Sequence, residues 1–239
     1  MTATLNWDGE YATTRAELHR VAAHVMARRR FLVTGRFGLR VTVGGFGTPL
    51  FGDDEVLRVD GGTLLRERRV GDRAVTATHA IDGATLGELA SFADVELDAE
   101  FSVGKDTPAL GDHGGPLRID GSSAAVMGEW YGRGAEAIDA CVAGLGAAGD
   151  PAVAQLWPEH FDLGTDIAAG SGRANLGVSP GDTYCAEPYL YVGPWSADRP
   201  GDAAYWNISF GALTTWSETP DADAAAAFFE RGLGYLAGA

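Results

Sequence analysis

Apolar residues change their spacing several times along the chain, and each change predicts an element. From about residue 12 to 29, Leu18, Val21, Ala22, Val25 and Met26 recur at helical spacing behind a capping-box pair, Thr14 and Glu17. His19 and His24 are five apart, about 140° around a regular helix, so both read as ordinary helix positions. "FGLRVTV" then alternates Leu39, Val41 and Val43 against Arg40 and Thr42, the period of a strand. "GGFGTPLFGDD" reads as a turn-rich connection; its glycines lack the ending of a phosphate loop. Turn signals at Asp60-Gly61-Gly62 and Gly71-Asp72 join three further strands into an antiparallel meander, with His79 at the rim of its last strand. A helix over about Thr85–Phe92 follows.

Residues 94–103, "DVELDAEFSV", alternate strictly and predict an extended segment with four carboxylates on its solvated face. A flat row of acids lacks the wrapping turn of a calcium loop. "GKDTPALGDHGGP", 104–116, reads as a loop. A second long helix, about 123–147, takes Ser122 or Ser123 as its cap. Its apolar stripe includes Met127, Trp130, Tyr131, Ile138 and Cys141. Strands return from residue 160, and a last helix starts from Thr219 as N-cap and Pro220 at N1.

The fold class is therefore α+β: antiparallel sheets with two long helices and a C-terminal helix. The order of elements repeats, which raises a duplication of two similar α+β halves in one body. The N-terminal half, 1–120, holds a helix, the meander, the acidic strand and a loop. The C-terminal half, 121–239, holds a long helix, an aromatic-rich antiparallel sheet and the last helix.

The stretch with most candidate chemistry is "WPEHFDLGTDI", 157–167. Period two places His160, Asp162, Gly164 and Asp166 on one face and Phe161, Leu163 and Ile167 on the other. Pairing Ala168 with Arg173 across the short "AGSG" link sets Asp166 opposite Asn175, Gly164 opposite Gly177 and Asp162 opposite Ser179. This register superimposes both apolar faces, and a one-residue slip would scramble them. The opposed glycines leave a slot on the polar face. It is a pocket floor, a solvated sheet surface, or a seat for an aromatic ring of the same chain.

As a pocket floor, His160 and Asp162 would act as base and orienter, or join Asp166 as metal ligands. Arg173 would clamp a carboxylate. Asn175, Ser179, Tyr189 and Tyr191 would line the ligand. After residue 150 come 13 of the chain's 23 aromatic residues, a density that suits a lined pocket or a core of large side chains.

Composition narrows the classes. The 239 residues are 46% hydrophobic and 21% charged, as in globular proteins, with a net charge of −15. Such an acidic chain repels phosphate backbones and anionic membranes, so nucleic acid and membrane are not expected partners. The one basic run, Arg28–Arg29–Arg30, falls at the expected end of the first helix and would complement its dipole. Two cysteines, Cys141 and Cys185, form no CxxC pair, which excludes a structural zinc site; no metal centre and no cofactor is assigned. No leader pattern or spanning apolar run is present, and a cytoplasmic location with reduced thiols is expected.

"GRFGLRVTVGGFGTPLFG", "QLWPEHFDLGTDI", "NLGVSPGDTYCAEPYLYVGPW" and "YWNISFGA" together resemble an actinobacterial protein family of unknown function. The resemblance spans nearly the whole chain. It implies a bacterial cytoplasmic protein and no activity, ligand or catalytic residue. Two functions remain open. One is a small-molecule-binding or interaction module with its pocket in the aromatic-rich second half. The other is a metal-dependent or acid–base enzyme, such as a hydrolase, using His160 with Asp162 or Asp166. Oligomeric state is left open.

Overall fold

The computed structural model describes residues 6–238. The architecture is α+β, with two antiparallel five-stranded sheets and helices. The chain divides into two compact units: Met1–Glu129 with Leu156–Phe161, and Trp130–Gln155 with Asp162–Ala239.

In the first unit, α1 (Glu10–Arg20) runs on through a π-helical stretch, Val21–Ala27, into α2 (Arg28–Thr34). The run begins before the expected start, and Thr14 does not cap it. Thr14 is buried, and its hydroxyl accepts the Asp120 N–H at 2.9 Å. The π-stretch is wholly buried. A π-turn closes five residues apart, not four. His19 and His24 reach different partners, donating to the Pro158 and Pro108 carbonyls, in keeping with their separate positions on the helical run.

The basic run is not at a helix end either. Arg28 pairs with Asp98 at 3.1 Å, Arg29 with Glu55 at 2.9 Å, and Arg30 donates to the Gly38 carbonyl. These arginines tie the helix to the rest of the unit.

The alternation at 94–103 does not produce a strand. Residues 94–116 contain no regular element, and their carbonyls are met by side chains of the first helical run. Arg29 donates to Asp94 O, Arg28 to Glu96 O, His24 to Pro108 O, and Arg20 to Leu110 O and Asp112 O. Backbone acceptors need partners, and here they find arginine and histidine in place of a neighbouring strand.

The first sheet runs in chain order: β1 (Arg40–Thr42), β2 (Gly45–Gly47), β3 (Glu55–Asp60), β4 (Thr63–Val70) and β5 (Arg73–Ala80). Both hairpins turn where expected, with Asp60 opposite Thr63 and Val70 opposite Arg73. The stretch read as pure connection contributes β2. Helix α3 (Leu86–Phe92) carries a complete capping box from Thr85 and Glu88. Helix α4 (Gly121–Leu145) begins at Gly121, and Asp120 holds its start. Asp120 Oδ1 accepts the Ser123 N–H at 2.7 Å and both seryl hydroxyls. Ser122 and Ser123 are therefore donors to the cap, not the cap.

The second sheet contains β6 (Gln155–Trp157), β7 (Asp162–Ala169), β8 (Gly172–Ser179), β9 (Tyr189–Pro194) and β10 (Ala212–Thr215), in the order β10-β9-β8-β7-β6. The division between the units falls within β6, after Gln155. The β7–β8 register is the expected one: Ala168 faces Arg173, Asp166 faces Asn175 and Gly164 faces Gly177. Leu163, Ile167, Leu176, Val178, Leu190 and Val192 are buried on the apolar side. Gly134 lets α4 approach Val178 more closely than a residue with a Cβ could. Helix α5 (Ala222–Ala237) is capped by Asp221, which accepts the Ala224 N–H at 2.8 Å; Thr219 lies before the cap.

Candidate functional site

His160 does not lie on β7. Residues 158–161 form a turn, and Phe161 has a φ of 60°. That left-handed residue breaks the alternation, because the face rule holds only along extended backbone. Phe161 itself is buried, stacked on His19 with 5.0 Å between ring centroids. The His160 side chain is about half-exposed. Its acidic neighbours are Asp106, at 3.7 Å from Nδ1, and Glu159, at 3.8 Å from Nε2, all in the first unit. Glu159, on the opposite face from His160 in an extended reading, comes back beside it through this turn.

The other predicted residues lie in the second unit, each engaged with a neighbour in the chain's own fold. Tyr191 donates from its hydroxyl to Asp162 Oδ2 at 2.5 Å, and Tyr189 to Asp182 Oδ2 at 2.7 Å. The Tyr191 ring fills the space over Gly177 that a Cβ there would require. The slot between the paired glycines is thus a seat for the chain's own ring. Burial, with the Asp162 charge next, pushes the Tyr191 hydroxyl far above its ordinary value; burial and the Asp182 bond do the same to Tyr189. Both are proton donors at neutral pH. Asp166 forms an ion pair with Arg173, which also reaches Asp150 at 3.0 Å. Asn175 Oδ1 accepts the Trp195 indole N–H at 2.9 Å. Ser179 accepts the Trp130 indole N–H at its carbonyl and the Gly181 N–H at its hydroxyl. Most polar groups of this face are thus taken up within the chain, Asp162 through Oδ2; its buried Oδ1 accepts no hydrogen bond among the described residues.

Open space lies elsewhere in the same unit. A cavity of about 520 Å³ is lined by Cys141, Leu145, Ala168, Leu233 and Gly234, with Glu230 as its one charged residue. The end of α4, the β7–β8 turn and the last turns of α5 supply these walls. Burial, then the Glu230 charge, raises the Cys141 thiol to about 11, so it is a protonated wall group and not a nucleophile. The periodicity identified Cys141 as buried but could not show that its neighbours leave a hole. One signal was present. Gly144 and Gly234 line the cavity from helices, and a Cβ on either would meet no atom within 4 Å. Glycine inside a helix costs about 1 kcal/mol against alanine, and both of these positions are exposed.

No family model matches the chain, and no curated protein or solved structure matches it.

Proposed function

We propose that the chain is a small-molecule-binding protein whose ligand occupies the cavity between α4, α5 and the β7–β8 turn. The observation that carries this reading is the cavity itself. At about 520 Å³, apolar and with a single carboxylate, it falls in the range of small-molecule sites. Its walls favour a compact aliphatic body. Glu230 favours a cationic or donating group at the rim. The protonated Cys141 adds bulk without chemistry, which supports binding over thiol catalysis.

We further propose the cytoplasmic location and the actinobacterial kinship expected above. Free Cys141 and Cys185 support a reducing compartment, and among the described residues no helix is long and apolar enough to cross a membrane.

The test is a thermal-shift series with short aliphatic amines and the matching alcohols and carboxylic acids. Amines are expected to raise the melting temperature, because a ligand that binds only the folded chain stabilises it. Gly234→Leu, which fills the cavity from its open side, is expected to abolish the shift while leaving the chain folded. No shift with any compound, or an undiminished shift in the filled variant, defeats the reading.

A further inference from the structure

The geometry points to a divalent-cation site formed by Asp106, Glu159 and His160 in the first unit. It is independent of the cavity in the second. Each of the three side chains offers a donor atom, and these atoms all lie within 4.8 Å of one another. Glu159 and His160 are adjacent in the chain, while Asp106 is brought in from the loop after residue 103.

Both carrying segments are held from beneath. His19 Nε2 donates to the Pro158 carbonyl at 2.9 Å, next to Glu159. Phe161, just after His160, is fixed between the His19 ring and the edge-on Phe46 ring. His24 Nε2 donates to the Pro108 carbonyl at 2.7 Å, two residues beyond Asp106. Thr107 closes the loop on itself, donating to the Gly104 carbonyl and accepting the Val103 N–H at 3.0 Å. Ligands on segments fixed this way keep their geometry without an ion, which lowers the cost of binding one.

A separate observation concerns Gly104. The Glu159 carboxylate occupies the position that a Cβ on residue 104 would take. Gly104 does not have a left-handed backbone, so its role is room. The cradle admits the carboxylate and sets it against the Asp106 N–H, which Glu159 Oε1 accepts at 3.3 Å.

Two carboxylates and one imidazole select a class of ion. Calcium and magnesium prefer all-oxygen sites, whereas an imidazole suits zinc and iron; the two carboxylates also suit manganese. Two carboxylates neutralise a divalent charge. Three protein donors leave coordination positions to water or a ligand, so the site would hold an accessible ion and not a closed structural one.

Titration of the metal-stripped full chain with Mn²⁺, followed by electron paramagnetic resonance, and with Zn²⁺, followed by calorimetry, tests this. One ion per chain is expected. His160→Ala and Asp106→Asn are each expected to weaken it by at least about tenfold, since even removing groups that only support ligands costs that much. Gly104→Ala is expected to weaken it too, by displacing Glu159, and Glu100→Gln to leave it unchanged. Circular dichroism identifies any variant that has unfolded; His160 is exposed enough for its alanine variant to keep the fold. Absence of a one-to-one ion, or affinity unaltered in folded His160→Ala, overturns the assignment and leaves a surface ion-pair cluster.

Discussion

The Tyr191 ring stands over Gly177 in the space a side chain there would need, and its hydroxyl reaches across to Asp162. Gly177→Ala must displace that ring, with an expected cost of about 1–3 kcal/mol, as for other overpacked sites. Tyr191→Phe keeps the ring and removes a donor to a carboxylate, with an expected cost of about 1–3 kcal/mol. The two effects separate in a double variant. Once Tyr191 is reduced to alanine, Gly177→Ala is expected to cost nothing further in urea unfolding. A neutral Gly177→Ala in the parent chain would show that the ring is not held there.

His19 and His24 give the first unit a pH dependence. Burial lowers the His19 imidazole to about 4 and lowers His24 as well, with the Arg20 and Arg28 charges adding to the latter. The unfolded chain takes up protons near 6.5 that the folded chain refuses, so stability is full above that pH and falls as pH drops toward 4. The loss approaches about 1.4 kcal/mol per pH unit for one histidine. Denaturant unfolding between pH 7 and 4.5 measures it. His19→Gln, which keeps a donor for Pro158 O, is expected to flatten the curve. An unchanged slope would assign the effect to other groups.

What was legible in the sequence follows physical rules of different reach. The β7–β8 register was readable because a slip would expose Leu163 and Ile167, and the observed pairing keeps them buried. His160 was misplaced because periodicity assumes extended backbone, and nothing local announces a left-handed phenylalanine at 161. The 94–103 alternation implied a strand, yet a strand requires a neighbour, and Arg28 and Arg29 satisfy these carbonyls instead. The cavity arises from three segments distant in sequence, so only its helical glycines left a trace.

Glu55 is the hinge of a buried charge cluster, accepting from Arg29 at 2.9 Å and from Arg66 at 2.9 Å, with less than a tenth of its side chain exposed. Glu55→Gln removes the buried charge both guanidiniums face, leaving them only the exposed Asp94 carboxylate at 3.5 and 3.8 Å, and is expected to cost about 3–5 kcal/mol, the usual effect of breaking a buried pair. Replacing Glu55 and Arg66 together by leucines is expected to cost less than Glu55→Gln alone, because the buried Arg66 charge goes with its partner and Arg29 keeps Asp94 at 3.5 Å. Chemical denaturation of the two variants decides it; a surface-like loss below about 1 kcal/mol for Glu55→Gln would mean water reaches the cluster.

Gly234 sits within α5, where glycine costs about 1 kcal/mol against alanine. Nothing near its Cβ position would resist a methyl group, and none of the crowding seen at Gly134 or Gly177 applies. Gly234→Ala is therefore expected to stabilise the chain by about 0.5–1 kcal/mol, read as a higher denaturant midpoint with an unchanged slope. In the same variant the shortest aliphatic amines should still bind, whereas larger ones should lose affinity, because the methyl group takes volume from the cavity that Gly234 lines. Stabilisation without any change in ligand size preference would separate the glycine from the site and place the ligand elsewhere.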